Sequence, residues 1–324
     1  MSVSDNIYKL YVIKFAKWFM LYMPIIGLFY ADNGLTDIQL FTIQAAYSLS
    51  SAFFEIPSGY FADVVGRKKT LIIGSTMGAI GFIIYSTTGS FWAFVIAEII
   101  MGIGQSFISG TDSAMLYDSL HHANNKEKYL QYEGRITSLG GFAETIAALL
   151  GGMIAAFSSL QAVFVVQIFI ASLAIPASIL LVEPTRKKLV HQSFSQIFDI
   201  SIFALFKHKG LSRSTMLSSV IGVATLTMAW TMQSFFVHHN FSEHSTTIIW
   251  VILNITVATV SIFSTQILRK FGMKNLLLTM VLFIPLGYIA IGSFPLWIVF
   301  GCLFIFHFVR GFATPILKDM IQEQ

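Results

Sequence analysis

The sequence predicts an all-α membrane protein with about ten transmembrane helices. Of its 324 residues, 55% are hydrophobic and only 11% are charged, whereas a soluble globular chain carries about 25% charged residues. The hydrophobic residues also gather into runs of roughly 20, the length that an α-helix needs to cross a bilayer. Helices are expected in every run, because the open edges of strands would leave backbone groups unsatisfied in lipid.

Ten such runs follow one another along the chain, with a long connection only after the sixth. In order, they cover residues 12–31, 36–61, 70–88, 91–116, 134–157, 160–182, 214–237, 245–268, 275–293 and 295–317. We predict two units, residues 1–183 with six helices and residues 214–324 with four. The stretch 184–213 between them is a predicted cytoplasmic linker. Its apolar residues recur at helical spacing and favour an amphipathic helix on the membrane surface, with an ordinary loop as the alternative.

The positively charged side chains lie at one end of the runs. They include Lys14 and its neighbours in the first run, and they fill the connections after runs two, four, six and eight, while the opposite connections contain no Lys or Arg. By the positive-inside rule, the N-terminus and the basic connections face the cytoplasm. The expected location is a plasma membrane of the bacterial inner-membrane type. The basic charge is attributed to this topology and not to binding of nucleic acid.

The connection between runs two and three carries the most specific motif of the chain. Its pattern, Gly-x-x-x-Asp-x-x-Gly-Arg-Lys, resembles the signature loop between the second and third helices of the major facilitator superfamily of transporters. In that family the loop is cytoplasmic, and its Asp and Arg help to latch the two halves of the protein together. The resemblance implies this latch role for Gly59, Asp63, Gly66, Arg67 and Lys68.

A weak internal repeat supports the same family. Gly110 in run four matches Gly311 in run ten, and Asp118 matches Asp319 at the same spacing. The halves then resemble the parallel six-helix repeats of facilitators. The resemblance implies the facilitator fold, with a six-helix N-terminal bundle and an incomplete, four-helix C-terminal bundle that lacks the last two helices. A truncated fragment and a natural short form both fit this pattern.

Ionisable side chains within the runs are the candidate functional residues, because each costs roughly 2.5–3.5 kcal/mol at the centre of a membrane helix. The resemblance implies that runs four and ten line a central cavity, where the repeat would bring Asp112 and Arg310 face to face. We expect them to form an ion pair that contacts the substrate or breaks during conformational switching. A purely structural pair at the inner gate is the alternative.

Two acids are predicted proton carriers. Glu98 lies 14 residues before Asp112, nearly four turns along one helical face, at a position where drug-exporting facilitators often carry an Arg. Glu144 lies seven residues before the pair Gly151-Gly152, which retains part of the Gly-Pro-x-x-Gly-Gly motif of drug antiporters. Desolvation favours the neutral form of a carboxylic acid, so each can bind a proton. A hydrogen-bonded structural acid is the alternative for both.

No motif in the sequence predicts an enzyme, a cofactor or a metal site. The histidines His238, His239 and His244 cluster in an outer connection, for which we expect a solvated loop. Cys302 is the single cysteine, which excludes a disulfide within the chain and a zinc site with paired cysteines.

These features predict a secondary transporter that moves a small organic solute by alternating access, most similar to the drug:proton antiporter branch of the family. Proton-coupled efflux of a drug-like compound is the first expectation. Uptake of a sugar or organic anion, with Arg310 as the anion-binding group, is the alternative. A non-transporting membrane sensor or assembly partner is a third hypothesis, which the two missing helices favour. The predicted partners are the lipid bilayer, a small-molecule substrate and protons.

Overall fold

The computed structural model describes residues 5–123, 125, 128–184, 208–293 and 295–322. These residues form thirteen helices and contain no strand. In chain order the helices are α1 (Asn6–Trp18), α2 (Ile26–Asp32), α3 (Asp37–Val64), α4 (Arg67–Thr87), α5 (Phe91–Ile108), α6 (Thr111–His122), α7 (Tyr129–Phe157), α8 (Leu160–Ser172), α9 (Ala174–Ile179), α10 (Lys209–His238), α11 (Glu243–Ile262), α12 (Ser264–Ser293) and α13 (Leu296–Gln322).

The helices divide into two compact units, Met1–Ile197 and Phe198–Gln324. The first unit contains α1 to α9 and the second contains α10 to α13. The predicted amphipathic helix falls outside the described residues, and the predicted linker 184–213 stays a prediction.

Eight helical segments among the described residues are long and apolar enough to cross a membrane. They are Arg67–Thr87, Phe91–His122, Leu139–Phe157, Leu160–Ile179, Lys209–His238, Glu243–Ile262, Gln266–Ser293 and Leu296–Leu317. The predicted count of ten is not confirmed, because the first two predicted runs are not among these segments. The first run is broken into the short helices α1 and α2, and the second forms the 28-residue helix α3, which is rich in Ser, Gln and Tyr.

The break between α1 and α2 follows Trp18 and is stabilised by a distant side chain. Gln167 of α8 accepts a hydrogen bond from the backbone N–H of Leu21 at 2.8 Å and donates one to the carbonyl of Phe19 at 3.1 Å. Gly151 of α7 packs against the same turn, where an added Cβ would lie 1.8 Å from the Leu21 carbonyl oxygen. Irregular backbone at membrane depth is tolerated where the protein itself satisfies the polar groups, and Gln167 does so here.

A second break interrupts the fourth predicted run. Helices α5 and α6 belong to one span of 32 residues, Phe91–His122, which is interrupted at Ser109 and Gly110. Gly110 has a φ of 72°, a left-handed conformation that glycine adopts without a steric penalty. Asp112 therefore lies in the first turn of α6, directly after a break in the helix.

Helix α5 packs against α3 and α4 at the centre of the first unit. Small residues permit close contacts on both sides, as is usual between membrane helices. A Cβ at Gly102 would lie 2.5 Å from the carbonyl oxygen of Tyr47 in α3, and one at Gly104 would lie 2.9 Å from that of Gly74 in α4. These contacts bring α5, the helix that carries Glu98, close to the backbones of α3 and α4.

In the second unit, α13 packs against α10, α11 and α12. Gly311 of α13 approaches the backbone of α11, since an added Cβ would lie 2.9 Å from the carbonyl oxygen of Val257. Helix α12 is kinked at Gly272, which has a φ of 74°. The predicted inner connection around this glycine is therefore helical on both sides of a single kink.

Candidate functional site

Charged side chains from three helices of the first unit form one network. Lys14 of α1 pairs with Asp112 of α6, with 3.1 Å between Nζ and Oδ2, and the two side chains are only 15% and 11% exposed. The other oxygen of Asp112 accepts a hydrogen bond from the backbone N–H of Ser113 at 2.8 Å. The Ser113 hydroxyl in turn donates to Glu133 of α7 at 2.9 Å. The network therefore joins α1, α6 and α7.

These side chains surround a small cavity of about 10 Å³, which is room for about one water molecule. It is lined by Leu10, Lys14, Asp112, Ser113, Glu133 and Ile136, and we call it the charged pocket. Its walls combine two apolar side chains with charges of both signs. It lies beside the break between α5 and α6, because Asp112 is in the first turn of α6.

The predicted partner of Asp112 was Arg310, which lies in α13 of the second unit. Within the first unit Asp112 pairs with Lys14, and its contact with Arg310 stays a prediction. Sequence reasoning missed Lys14 as a partner, because it assigned all the lysines of the first run to membrane topology. The available signal is the position of Lys14 well inside α1, eight residues after the helix begins at Asn6.

Glu98 ends a second hydrogen-bonded network in the same unit. The carboxylate is only 6% exposed and accepts a hydrogen bond from the hydroxyl of Tyr85 in α4 at 2.7 Å. The Tyr85 hydroxyl lies 2.5 Å from that of Tyr30 in α2. The side-chain amide of Gln44 in α3 donates to Tyr30 at 3.4 Å.

The direction of these hydrogen bonds follows from the two outer groups of the series, the Glu98 carboxylate and the Gln44 amide. An ionised carboxylate only accepts, and an amide nitrogen only donates. Tyr85 therefore donates to Glu98, Tyr30 donates to Tyr85, and Gln44 donates to Tyr30. We call this series the tyrosine chain. Four helices, α2 to α5, contribute one side chain each.

Aromatic rings enclose the tyrosine chain. The ring of Tyr85 stacks between those of Phe94 and Phe164, with centroid distances of 4.8 and 5.1 Å. The titratable neighbours of Glu98 beyond the chain are Tyr22 and Tyr47, which both interact with it electrostatically. Glu98 is thus a buried acid in phenolic and aromatic surroundings, and its role in proton transfer stays a prediction.

Glu144, the second predicted proton carrier, is half-buried in α7. It also interacts electrostatically with Tyr22. The structure thus places both acids near one tyrosine, and their roles in proton transfer stay predictions.

The signature loop is built around the first turn of α4. Its Gly66 has a φ of 119°, which glycine tolerates and other residues rarely adopt. The backbone N–H groups of Arg67 and Lys68 donate to the carboxylate of Glu183 at 2.9 and 2.8 Å. A carboxylate at this position stabilises the positive end of the helix dipole.

The Arg67 side chain reaches α6. Its guanidinium forms an ion pair with Asp118 and donates a hydrogen bond to the carbonyl of Ala114. Arg67 and Asp118 are 14% and 19% exposed, so the pair is largely shielded from solvent. These contacts are internal to the first unit, and the latch role between the halves stays a prediction for Arg67 and for Asp63, which is half-buried at the end of α3.

Gly59, the first residue of the signature motif, and the acids and histidines that could bind a metal ion remain to be described. Gly59 is exposed on α3, and an added Cβ there would meet no described atom within 4 Å. Among the described residues, no group of three or more His, Cys, Asp or Glu side chains is arranged to hold a metal ion.

Comparison with protein families gives one match that spans nearly the whole chain. The family model described as Major Facilitator Superfamily matches residues 10–324. Two similar curated proteins are transport proteins by name, and a third is named a multidrug resistance protein. The vacuolar membrane amino acid uptake transporter fnx2 of Schizosaccharomyces pombe is 26% identical over 194 residues, which are 60% of this chain and 31% of that protein.

The other two relatives are bacterial. The inner membrane transport protein YajR of Escherichia coli is 26% identical over 167 residues, 52% of this chain and 36% of YajR. The multidrug resistance protein Stp of Mycobacterium tuberculosis is 24% identical over 197 residues, 57% of this chain and 36% of Stp. The chain therefore spans about a third of the length of the curated relatives that it matches.

Solved structures share the fold over a larger part of their length. The nucleoside transporter NupG has a TM-score of 0.77 and 16% sequence identity, with 99% of this chain and 81% of NupG covered. A D-xylose-proton symporter has a TM-score of 0.65 and 17% identity, with 96% and 80% covered. At these identities the similarity shows a common fold.

Proposed function

The chain belongs to the Major Facilitator Superfamily, and on that premise we propose that it is a secondary transporter that exports a small organic solute in exchange for protons. Its membership and the eight membrane-length helical segments among its described residues make it a multi-pass integral membrane protein. Alternating access would arise from rocking of two helical repeats about a central site. The observation that carries the proton-coupled part of the proposal is the environment of Glu98.

Two opposing influences act on the Glu98 carboxyl group. Its aromatic surroundings disfavour a charge, because a carboxylate loses its hydration there. The Tyr85 hydroxyl favours the charge, because a hydrogen bond donated to a carboxylate stabilises the ionised form. A group balanced between these influences can bind a proton in one conformation of the transporter and release it in another.

Proton binding at Glu98 would also rearrange the tyrosine chain. A protonated carboxyl group can donate a hydrogen bond, and Tyr85 would then turn to accept it. Tyr30 would donate towards Gln44, whose amide would have to present its oxygen in place of its nitrogen. The protonation state of one side chain on α5 is thereby coupled to side chains on α2, α3 and α4.

The remaining predicted residues take supporting roles in this proposal. We assign Asp112 and Arg310 to the substrate path or its inner gate, and Glu144 to a second step of proton transfer. The cytoplasmic latch would consist of Gly59, Asp63, Gly66, Arg67 and Lys68. The one-sided basic connections support a cytoplasmic N-terminus, and the name of the Escherichia coli relative supports an inner membrane.

The relatives' names support two directions of transport. The multidrug resistance protein Stp favours efflux, which we take as the first candidate. The amino acid uptake transporter fnx2 favours uptake of a solute that carries a carboxylate. Uptake of an organic anion, with Arg310 as the anion-binding group, is therefore the second candidate.

The proposal is tested with the full chain in sealed proteoliposomes that contain a pH-sensitive dye. We expect a panel of amino acids, sugars and organic cations to include a solute whose addition moves protons across the membrane. Glu98→Gln should abolish this proton movement, whereas Glu243→Gln, the same change at the first residue of α11, should retain it. If no solute moves protons with the unaltered protein, the proposal is wrong and a non-transporting sensor or assembly partner is favoured.

A further inference from the structure

We propose that Tyr22, in the break between α1 and α2, passes protons between Glu144 and Glu98. This inference rests on the proposed transport function and adds a residue to the proton path of that function. It is carried by the place of Tyr22 between the helix face of one acid and the aromatic rings beside the other. The weak hydrogen bond of its hydroxyl group is the second observation.

The face of α7 that carries Glu144 packs against the break between α1 and α2. An added Cβ at Gly140 would lie 3.2 Å from the Trp18 side chain, and one at Gly151 would lie 1.8 Å from the carbonyl oxygen of Leu21. Glu144 lies about one turn after Gly140 and about two turns before Gly151, on the same side of the helix. This acid is therefore on the side of α7 that meets the irregular segment.

The ring of Tyr22 packs against α4 and α8, beside the hydrogen-bond donor of Glu98. Its centroid lies 5.3 Å from that of Phe82 and 5.7 Å from that of Phe164. Phe82 lies about one turn before Tyr85 on the same face of α4, and Phe164 stacks on the Tyr85 ring at 5.1 Å. Since Tyr85 donates to Glu98 at 2.7 Å, Tyr22 lies next to the group that binds this acid.

The titratable neighbours of Tyr22 are carboxyl groups and phenols. Tyr22 interacts electrostatically with both Glu98 and Glu144. Tyr47 of α3 and Tyr30 of the tyrosine chain are its other titratable neighbours among the described residues. A carboxylate binds a proton far more readily than a phenol does, so a proton that leaves one of the two acids has the other acid as its best nearby acceptor.

The hydroxyl group of Tyr22 is only weakly engaged. Its one hydrogen bond to a described residue goes to the Sδ of Met20 at 3.7 Å, and a thioether sulfur is a weak acceptor. A tyrosine hydroxyl both donates and accepts hydrogen bonds, so most of this capacity is unused. Turning the hydroxyl group away from Met20 therefore costs little.

The proton step is balanced without any further reactant. The phenol oxygen accepts a proton from the neutral Glu144 carboxyl group, and the phenol proton passes to the Glu98 carboxylate, directly or through one bridging water. One O–H bond of Tyr22 forms as the other breaks, so the tyrosine ends neutral. The reverse step returns the proton, and the net result is transfer between the two acids.

The first test compares Tyr22→Phe with Tyr47→Phe in the proteoliposome assay, with a solute that moves protons through the unaltered protein. Phenylalanine retains the ring contacts of Tyr22 and removes only its hydroxyl group. We expect Tyr22→Phe to slow proton movement roughly 100-fold, the low end of what a positioned proton-transfer group contributes. Tyr47→Phe removes a phenol that also interacts with Glu98 and should leave the rate close to that of the unaltered protein.

A second readout separates proton transfer from a structural effect. Exchange of radiolabelled solute at equal concentrations on both sides requires the conformational change but no net movement of protons. Tyr22→Phe should retain this exchange while it loses proton movement, whereas a structural role would reduce both. Unchanged proton movement in Tyr22→Phe, or an equal loss of exchange and proton movement, would overturn the proposal.

A double variant tests whether Tyr22 and Glu144 belong to one path. Glu144→Gln should slow proton movement as Tyr22→Phe does, and the double variant should be no slower than the slower single variant. Losses that multiply in the double variant would show two separate paths and contradict the proposal. This comparison does not depend on Tyr22→Phe alone.

The unaltered protein distinguishes failure of this inference from failure of the transport function. If no solute moves protons with the unaltered protein, the proposed function is wrong, and the relay through Tyr22 is wrong with it. If a solute moves protons equally well with the unaltered protein and with Tyr22→Phe, the transport function is supported and only the relay is wrong.

Discussion

The hydroxyl of Tyr85 donates a hydrogen bond to the carboxylate of Glu98 at 2.7 Å, and both side chains are buried within the first unit. We predict that Tyr85→Phe shifts the pH dependence of solute-driven proton movement to higher pH, because the ionised carboxylate loses its donor. A hydrogen bond to a charged group contributes about 1.5–3 kcal/mol, and about 1.4 kcal/mol corresponds to one pH unit. The expected shift is therefore roughly one to two pH units.

The matched control for this prediction is Tyr288→Phe in the second unit. The Tyr288 hydroxyl donates a hydrogen bond to the backbone carbonyl of Ala224 at 2.5 Å. Tyr288→Phe therefore also removes a hydrogen-bonded tyrosine hydroxyl, but at a position distant in sequence from Glu98. Its pH profile should match that of the unaltered protein. A Tyr85→Phe profile that also stays in place would show that the tyrosine does not tune the proton site.

The break between α1 and α2 gives a prediction about stability. An added methyl group at Gly151 would lie 1.8 Å from the carbonyl oxygen of Leu21, and backbone has to move to accommodate it. Overpacking of this kind costs typically 1–3 kcal/mol, so Gly151→Ala should lower the melting temperature in detergent.

Gly141→Ala on the same helix is the control. An added Cβ at Gly141 would meet no described atom within 4 Å, and alanine is favoured over glycine in a helix by about 1 kcal/mol. Gly141→Ala should therefore melt at the same or a higher temperature. Equal melting temperatures for both variants would show that the close approach of Gly151 to Leu21 is not important for stability.

Gln167 provides a second prediction at the same break. Gln167→Leu removes the hydrogen-bond partners of the Leu21 N–H and the Phe19 carbonyl. A buried polar group without a partner costs about 1–3 kcal/mol, so the two groups together should destabilise the break by roughly 2–6 kcal/mol. Hydrogen exchange should speed up at the Leu21 amide and stay slow at Leu40, which lies within α3. Unaltered exchange at Leu21 would contradict the assigned role of Gln167.

The family and the all-α membrane fold were predictable from the sequence, and both predictions are confirmed by the family match and the shared fold. Membrane solvation leaves few alternatives to a helix in an apolar run, and the signature loop is a local pattern. The two helix breaks of the first unit differed in how far the sequence could predict them. Gly110 gave a local signal for the break before α6, because glycine accepts a positive φ, whereas the break after Trp18 depends on Gln167, 146 residues from Leu21 along the chain.

The residues of the candidate site likewise fall into those that the sequence indicated and those that only the tertiary structure shows. Glu98 and Asp112 stood out in the sequence because acids are rare in apolar runs. Their partners did not, since Tyr85 and Lys14 are unremarkable residues until the packing of α4 against α5 and of α1 against α6 is known. Sequence patterns identify which side chains are costly to bury, and tertiary structure decides which groups stabilise them.

The last prediction concerns the ion pair between Arg67 and Asp118. Both side chains are largely buried, and loss of one partner leaves the other charge uncompensated. Arg67→Met and Asp118→Asn should each lower the free energy of unfolding by roughly 3–5 kcal/mol. The double variant should lose less than the sum of the two, by about 0.5–3 kcal/mol, because it leaves neither charge unpaired.

Lys69→Met, a change at an exposed neighbouring residue of α4, is the control and should change the free energy of unfolding by less than about 0.5 kcal/mol. Reversible unfolding of the unaltered protein and the four variants in mixed micelles measures these free energies. Strictly additive losses would show that the guanidinium and the carboxylate stabilise the first unit independently of one another.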